Sequence, residues 1–261
     1  MPSPRRLKID QRRRRILEML ARNGQVSISD LSTELEATPV TIRSDLAALG
    51  EEGLLERISG GAVPRVRNIL NRGAFSRHSE NQEAKIRIAA AAAKLVLDGE
   101  TLFINSGTTS YYTARELKLR KNLKVVTNSI PVALELGEVP SFRVTLLGGD
   151  INTQYSFTYG NNVLEHLRQF RADKTILSMD GIRADAGLTT YHAEEAVVNR
   201  VMMERSRETI IVADRRKLGY ESFSFVSGLS SVSYLITDAA EGEETAVMEL
   251  EKSGLRILYS C

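Results

Sequence analysis

The stretch Asn105-Ser106-Gly107-Thr108-Thr109 joins an apolar run to a segment of helical pattern, and its residue types suit an anion. Small residues let backbone N–H groups approach an oxyanion, hydroxyls add donors, and a helix N-terminus contributes about half a positive charge. Similar chemistry follows other apolar runs: Thr127-Asn128-Ser129, Gly148-Gly149, Asp180-Gly181 and Asp214-Arg215-Arg216-Lys217. Lys217 suits a phosphate, while Asp180 and Glu195 suit the hydroxyls of a sugar. Ser106, Gly107, Thr108, Thr109, Asn128, Gly148, Gly149, Asp180, Glu195 and Lys217 therefore form a candidate site for a phosphorylated sugar. Taken singly, Ser-Gly-Thr-Thr is equally a helix cap, Lys217 a solvated loop lysine and Glu195 a surface charge. Clustering at corresponding positions carries the reading.

A second set of residues lies near the N-terminus and suits base edges. Thr38-Pro39 pairs a hydroxyl cap with a proline at the first helical position, where its missing N–H costs nothing. Ile42, Leu46 and Leu49 form the apolar stripe of the helix that follows, leaving Val40, Thr41, Arg43 and Ser44 on its other face. Before it comes a short helix carrying Leu31 and Leu35, with Ser27 or Ser29 as its cap. Two short helices of this kind, joined by a tight turn over residues 26–45, are the sequence form of a helix-turn-helix, whose second helix lies in the major groove. Arg43 is the side chain best suited to a bidentate contact with guanine. After Gly53, two short extended pieces flank Ser59-Gly60-Gly61, as in a wing. Ser29, Thr38, Val40, Thr41, Arg43, Ser44 and Arg57 are thus the candidate DNA-facing residues. The run Arg12 to Arg15, on a first helix ending near Asn23-Gly24, reads as a solvated helix face.

These two sets require different scaffolds. The first 63 residues predict a winged helix-turn-helix domain, and residues 64–81, with Pro64, Gly73 and scattered Asn and Ser, predict a linker. From residue 82 to 261 the pattern alternates. Apolar runs at 101–105, 123–127, 143–147, 174–179, 209–213, 234–237 and 256–259 predict strands, and helical patterns fall at 85–97, 109–119, 132–136, 163–170, 193–205 and 243–252. Continuous apolar strands alternating with helices predict an α/β, Rossmann-like domain with a mostly parallel sheet covered on both faces. Such sheets bind ligands beyond the C-terminal ends of their strands, where the first candidate set lies.

Composition narrows the classes. Of 261 residues, 42% are apolar and 26% charged, so neither disorder nor a fibrous repeat is expected. No apolar run reaches the roughly 18 residues of a membrane span, and the N-terminus lacks the apolar segment of a secretory signal, so a soluble cytoplasmic protein is expected. The net charge of +2 hides an asymmetry. Residues 1–77 hold 14 Lys and Arg against 9 Asp and Glu, net +5, whereas residues 78–261 hold 21 against 24, net −3. A basic end joined to a slightly acidic body points to a nucleic-acid-facing end. No metal or other cofactor is expected. His78, His166 and His192 are scattered, Cys261 is the only cysteine, and no Gly-x-x-x-x-Gly-Lys-[Ser/Thr] loop occurs.

Thr41-Ile42-Arg43-Ser44-Asp45-Leu46, Glu52-Gly53-Leu54-Leu55 and Ser59-Gly60-Gly61-Ala62 together resemble the winged helix-turn-helix of DeoR-type bacterial transcriptional regulators. That family usually carries a second arginine where Ser44 stands and a histidine where Ser59 stands. Ser106-Gly107-Thr108-Thr109, Val126-Thr127-Asn128-Ser129, Leu147-Gly148-Gly149, Gly187-Leu188-Thr189, Glu195 with Asn199, and Asp214 with Lys217-Leu218-Gly219 resemble the same family's sensor domain. The resemblance implies a fold similar to ribose-5-phosphate isomerase, double-stranded operator DNA and a phosphorylated sugar as partners, and a homodimer or homotetramer. Its usual aspartate is Asn105 here and its usual serines are Arg215 and Arg216, which is expected to make the site more positive. The alternative is an isomerase carrying a DNA-binding domain. Where the isomerases have Asp-Gly-Ala-Asp-Glu, this chain has Asp180-Gly181-Ile182-Arg183-Ala184-Asp185, so two acids are replaced and no catalytic residue is assigned. The expectation is a repressor of a carbohydrate operon, not an enzyme.

Overall fold

The computed structural model describes residues 4–23, 25–51, 54–63, 81–239 and 245–260. The chain divides into two compact units, Met1–Arg72 and Gly73–Cys261. The expected stop at Gly24 and all but the last residue of the expected linker lie outside the described residues.

In the first unit, α1 (Pro4–Asn23), β1 (Val26–Ser27), α2 (Ile28–Glu34), α3 (Pro39–Glu51), β2 (Glu56–Ile58) and β3 (Gly61–Val63) follow one another. Of the two serines considered as caps for α2, Ser27 is the one used, accepting the Asp30 N–H at 3.0 Å. Thr38 caps α3 by accepting the Thr41 N–H at 3.2 Å. The apolar stripes of the helices meet in one core, with Ile16, Leu31, Ile42, Leu46 and Leu49 all buried. Burial of each such side chain contributes about 1.5–3 kcal/mol, the main term holding this small unit together. Strands β1, β3 and β2 form an antiparallel sheet in that spatial order, so the wing is anchored to the strand preceding α2.

The arginine run departs from expectation. Arg12 and Arg13 are not a solvated face: their Nε atoms lie 2.5 and 3.2 Å from the two carboxylate oxygens of Asp45, which is buried in α3. Only Arg14 and Arg15 are exposed, each beside Glu18. The pattern of one helix cannot show a partner 32 residues away on another.

In the second unit the order is α4 (Gln82–Lys94), β4 (Thr101–Ile104), α5 (Thr108–Glu116), β5 (Lys124–Thr127), α6 (Ile130–Gly137), β6 (Arg143–Leu146), β7 (Asp150–Asn152), β8 (Phe157–Tyr159), α7 (Asn161–Leu167), β9 (Ala172–Leu177), β10 (Gly181–Arg183), β11 (Gly187–Thr190), α8 (Ala193–Glu204), β12 (Ser206–Val212), β13 (Ser224–Ser227), β14 (Tyr234–Thr237), α9 (Thr245–Lys252) and β15 (Ile257–Tyr259). Seven strands form a wholly parallel sheet in the order β15-β14-β12-β9-β4-β5-β6. Strand residues alternate between its faces. Leu102, Ile104, Val125, Ile210 and Ile236 pack beneath α4, α5 and α6, whereas Phe103, Val126, Ile211 and Leu235 pack beneath α7, α8 and α9. Burial on both faces explains why these strands read as continuous apolar runs.

Two features escape the periodicity. Strands β7 and β8 form an antiparallel hairpin, and β10, β11 and β13 form a separate antiparallel sheet. Each is three or four residues long and mixes polar with apolar residues, so neither gives a clear alternation. No helix among the described residues is long and apolar enough to cross a membrane.

Candidate functional site

The order of the parallel sheet singles out one place on its rim. From β4 the chain moves outward to β5 and β6 on one side, then returns to β9 on the other and continues to β12, β14 and β15. Adjacent strands β4 and β9 therefore send their following loops in opposite directions, and a crevice opens beyond their C-terminal ends. A cavity of about 100 Å³ lies there, lined by Ser106 to Thr109 after β4, Ser178 to Asp180 after β9, and Asp214, Arg216 and Lys217 after β12. Thr190, His192 and Glu195 close it from β11 and the start of α8, with Lys85 from α4 and Tyr155 from the β7–β8 turn.

Of the ten candidates, Ser106, Gly107, Thr108, Thr109, Asp180, Glu195 and Lys217 are brought together in this cavity. Gly107 is the N-cap of α5 and offers no side-chain cap, so the first N–H groups of that helix are left for another acceptor. It also lies so close to the residue after β9 that an added Cβ would fall 1.4 Å from Ser178 Oγ and 2.7 Å from Ser178 Cβ. Only glycine lets the cradle sit here.

The polar groups form a chain around the cavity. Ser106 donates to Glu195 at 2.5 Å, Thr190 donates to Asp180 at 3.1 Å and lies 3.4 Å from Glu195, and Asp180 also accepts the Tyr191 N–H at 3.0 Å. Lys217 Nζ lies 3.5 Å from Asp180. Asp214 is buried, which by itself raises a carboxyl, but the Arg216 side chain, its backbone N–H and the charge of Lys217 outweigh that effect and hold Asp214 below the ordinary carboxylate range.

Asn128, Gly148 and Gly149 do not line this cavity. They follow β5 and β6, on the far side of β4, where the hairpin covers the strand ends. Asn128 is buried and donates to the Thr158 carbonyl at 3.2 Å, and Thr158 donates to Leu147 at 2.6 Å. Gly149 is packed so tightly that a Cβ would meet the Tyr159 carbonyl at 2.4 Å. Gly148 is exposed. Treating all strand ends as equivalent is what grouped these three with the others; strand order separates them.

The expected gain of positive charge is also revised. Asn105 does not reach the cavity. It is buried, donates to the Ser178 carbonyl and to Asn199, and accepts from Ser110 and the Ser178 N–H. Arg216 lines the cavity but is paired with Asp214 at 2.9 Å, and Arg215 is exposed elsewhere, its N–H bound to Asp238. The lining holds three cations, Lys85, Arg216 and Lys217, and three carboxylates, Asp180, Glu195 and Asp214. Helix α5 supplies the remaining positive potential. Lys85, Tyr155, Ser178, Thr190 and His192 were not singled out for this site in the sequence, and Asp214 and Arg216 were named beside Lys217 without a place among the ten candidates. Thr190 and His192 precede Glu195 closely in sequence, so neighbourhood to a candidate was the available signal for them.

Arg183 and Ala184, which replace two acids of the isomerase motif, lie outside the cavity lining. Arg183 is on β10 and pairs with Asp185 and Glu221. Among the described residues no three His, Cys, Asp or Glu are grouped to hold a metal ion.

The candidate DNA-facing residues of the first unit lie at its surface. Ser29, Thr38, Val40, Arg43, Ser44 and Arg57 are exposed and Thr41 is partly so. Val40 is 73% exposed. Val40, Thr41, Arg43 and Ser44 occupy the first half of α3, while Arg57 projects from β2 of the wing.

The DeoR-like helix-turn-helix domain family matches residues 12–65, and the DeoR C terminal sensor domain family matches residues 80–239. The chain is 34% identical over 233 residues to the glycerol-3-phosphate regulon repressor of Escherichia coli (strain K12), covering 89% of this chain and 92% of that protein. It is 30% identical over 246 residues to the HTH-type transcriptional repressor GlcR of Bacillus subtilis (strain 168), covering 94% of each. Among solved structures it is similar to ribose 5-phosphate isomerase A of Methanocaldococcus jannaschii, at 15% identity and a TM-score of 0.40, over 53% of this chain and 55% of that one.

Proposed function

The chain belongs to the DeoR family of helix-turn-helix transcriptional regulators, and on that premise we propose that it represses a carbohydrate operon under the control of a phosphorylated sugar. Residues 1–63 read the operator and residues 82–261 bind the effector. The observation that carries the effector reading is the cavity at the switch point of the parallel sheet, where the uncapped start of α5, Lys217 and a set of hydroxyls and carboxylates converge. The α5 N–H groups and Lys217 hold the phosphate, while Asp180 and Glu195 accept from sugar hydroxyls. These carboxylates accept from Ser106 and Thr190, and a ligand's hydroxyls would take the place of those donors.

On the DNA side, α3 enters the major groove with Arg43 on a guanine and Val40, Thr41 and Ser44 against neighbouring bases, while Ser29, Thr38 and Arg57 serve the backbone. A homodimer or homotetramer places two such helices on related half-sites, and the effector changes their spacing or freedom. The cavity acts as a sensor without turnover: Arg183 and Ala184 stand where the isomerases carry acids, and Arg183 is engaged with Asp185 and Glu221 outside the cavity.

Thermal-shift titration of the full chain with phosphorylated sugars tests the effector reading. A compound present at a hundred times its dissociation constant stabilises the native state by about 2.7 kcal/mol. The compound that does so is expected to leave Lys217→Ala unshifted, while that variant binds operator normally. A normal response in Lys217→Ala removes the lysine from the site.

A further inference from the structure

His192 immediately precedes α8 and lines the cavity, and its Nε2 is buried without a hydrogen-bond partner among the described residues. Buried polar atoms in folded proteins nearly always have a partner, so this nitrogen has a hydrogen bond still to make. The ring has little freedom to find a partner within the protein. Tyr155, Tyr191 and Phe157 hold it edge-on, with centroids at 4.3, 5.1 and 5.7 Å and interplanar angles of 70°, 86° and 60°. Tyr155 is delivered by the β7–β8 turn, where Asn152 accepts the N–H groups of Tyr155 and Ser156 at 3.0 and 2.7 Å.

The position of His192 relative to the anion cradle defines what it can touch. Glu195 lies about one helical turn further along, a rise of roughly 5 Å, and its carboxylate accepts from Ser106 of the cradle. His192 and the cradle thus line one cavity from different elements, with the imidazole about one turn before the carboxylate that meets Ser106. An aromatic wall carrying one unsatisfied nitrogen suits an oxygenated carbon chain, with ring edges against C–H groups and the nitrogen on a hydroxyl or carbonyl oxygen.

We propose that His192 is a specificity-determining residue of the effector site, its Nε2 hydrogen-bonding a hydroxyl or carbonyl oxygen on the carbon skeleton of the phosphorylated ligand. The proposal rests on the effector reading above and names the part of the ligand that tells one phosphorylated sugar from another.

The test compares inorganic phosphate, glycerol 3-phosphate and a series of pentose and hexose phosphates by calorimetric titration of the full-length chain. His192→Phe keeps an aromatic ring in the box but cannot make the hydrogen bond. It is expected to lose about tenfold in affinity for the tightest sugar phosphate, the usual effect of one hydrogen bond, with inorganic phosphate unchanged. A deoxy counterpart lacking the contacted hydroxyl loses the same factor in the unaltered protein and nothing further in the variant. Should His192→Phe not fold, His192→Leu is read in the same way. Undiminished sugar-phosphate binding in the variant overturns the proposal and leaves the effector reading standing. An equal loss for inorganic phosphate also overturns it, making His192 an anion contact. If the unaltered protein binds none of these compounds, the effector reading fails and the proposal falls with it.

Discussion

The proposed DNA-facing surface and the proposed effector cavity are built on opposite plans. On the first, Arg43, Val40 and Ser44 stand exposed on one face of α3, whose apolar stripe is buried. Each side chain is placed by its own helix, and little else decides where it points. In the cavity, residues from α4, the β4, β9 and β12 ends, the β7–β8 turn and the start of α8 meet, and Ser106, Glu195, Thr190, Asp180 and Lys217 are already engaged with one another. On the proposed roles, the reader acts through side chains added one at a time, whereas the sensor exchanges partners within a network. Single changes should therefore fail gracefully in the first region and abruptly in the second.

Gly107→Ala is the sharpest way to break that contrast. The new methyl would collide with both Oγ and Cβ of Ser178, so rotating the serine is not sufficient and the start of α5 must shift. Loss of the ligand-induced thermal shift is expected while operator affinity without ligand is unchanged; a retained shift would show that the cradle tolerates displacement. Arg43→Ala comes next. Removal of a bidentate guanine contact should weaken specific binding by about 1–3 kcal/mol, with random DNA little affected. Equal loss on both, measured by fluorescence anisotropy, makes Arg43 a phosphate contact instead.

Asp45→Asn probes the one place where the reader is itself a network. It removes the charge shared by Arg12 and Arg13. Breaking a buried pair can cost about 3–5 kcal/mol, but both arginines are partly exposed and can turn to water, so about 1–2 kcal/mol is expected. Calorimetry should show a lower unfolding temperature for the first unit, and an unchanged one would mean that the ion pairs contribute nothing. The smallest effect concerns acid. The Asp214 carboxyl is held below its ordinary value in the folded chain, so its contribution is complete above the unfolded value of about 3.9 and is lost as pH falls through the lower native value. Asp214→Asn should flatten that part of the acid unfolding curve, and a curve of unaltered shape would contradict the assignment.

The same contrast explains what could be read in advance. Thr38-Pro39, the Ile42, Leu46 and Leu49 stripe and the turn at Ser59 to Gly61 are local signals, and α3 with its wing follows from them. The parallel strands were legible because burial on both faces leaves continuous apolar runs such as Leu102 to Ile104 and Ile210 to Val212. The cavity was legible only in part. Ser106 to Thr109 and Lys217 announce themselves by residue type, but Tyr155 and His192 enter through a hairpin with no periodic signature and a short connection before α8. Asn128 and Gly149 look equivalent to Ser106 until strand order puts them on the far side of β4. The partnership of Arg12 and Arg13 with Asp45 lies between two helices and leaves no mark in either.

Coupling between the two regions is the central claim, and operator affinity measured on the full-length chain tests it most directly. With an operator selected from random DNA and the sugar phosphate that gives the largest thermal shift, the dissociation constant is expected to change by about 5- to 150-fold, equivalent to roughly 1–3 kcal/mol of coupling. An operator affinity identical with and without a compound that demonstrably binds the sensor would contradict the account.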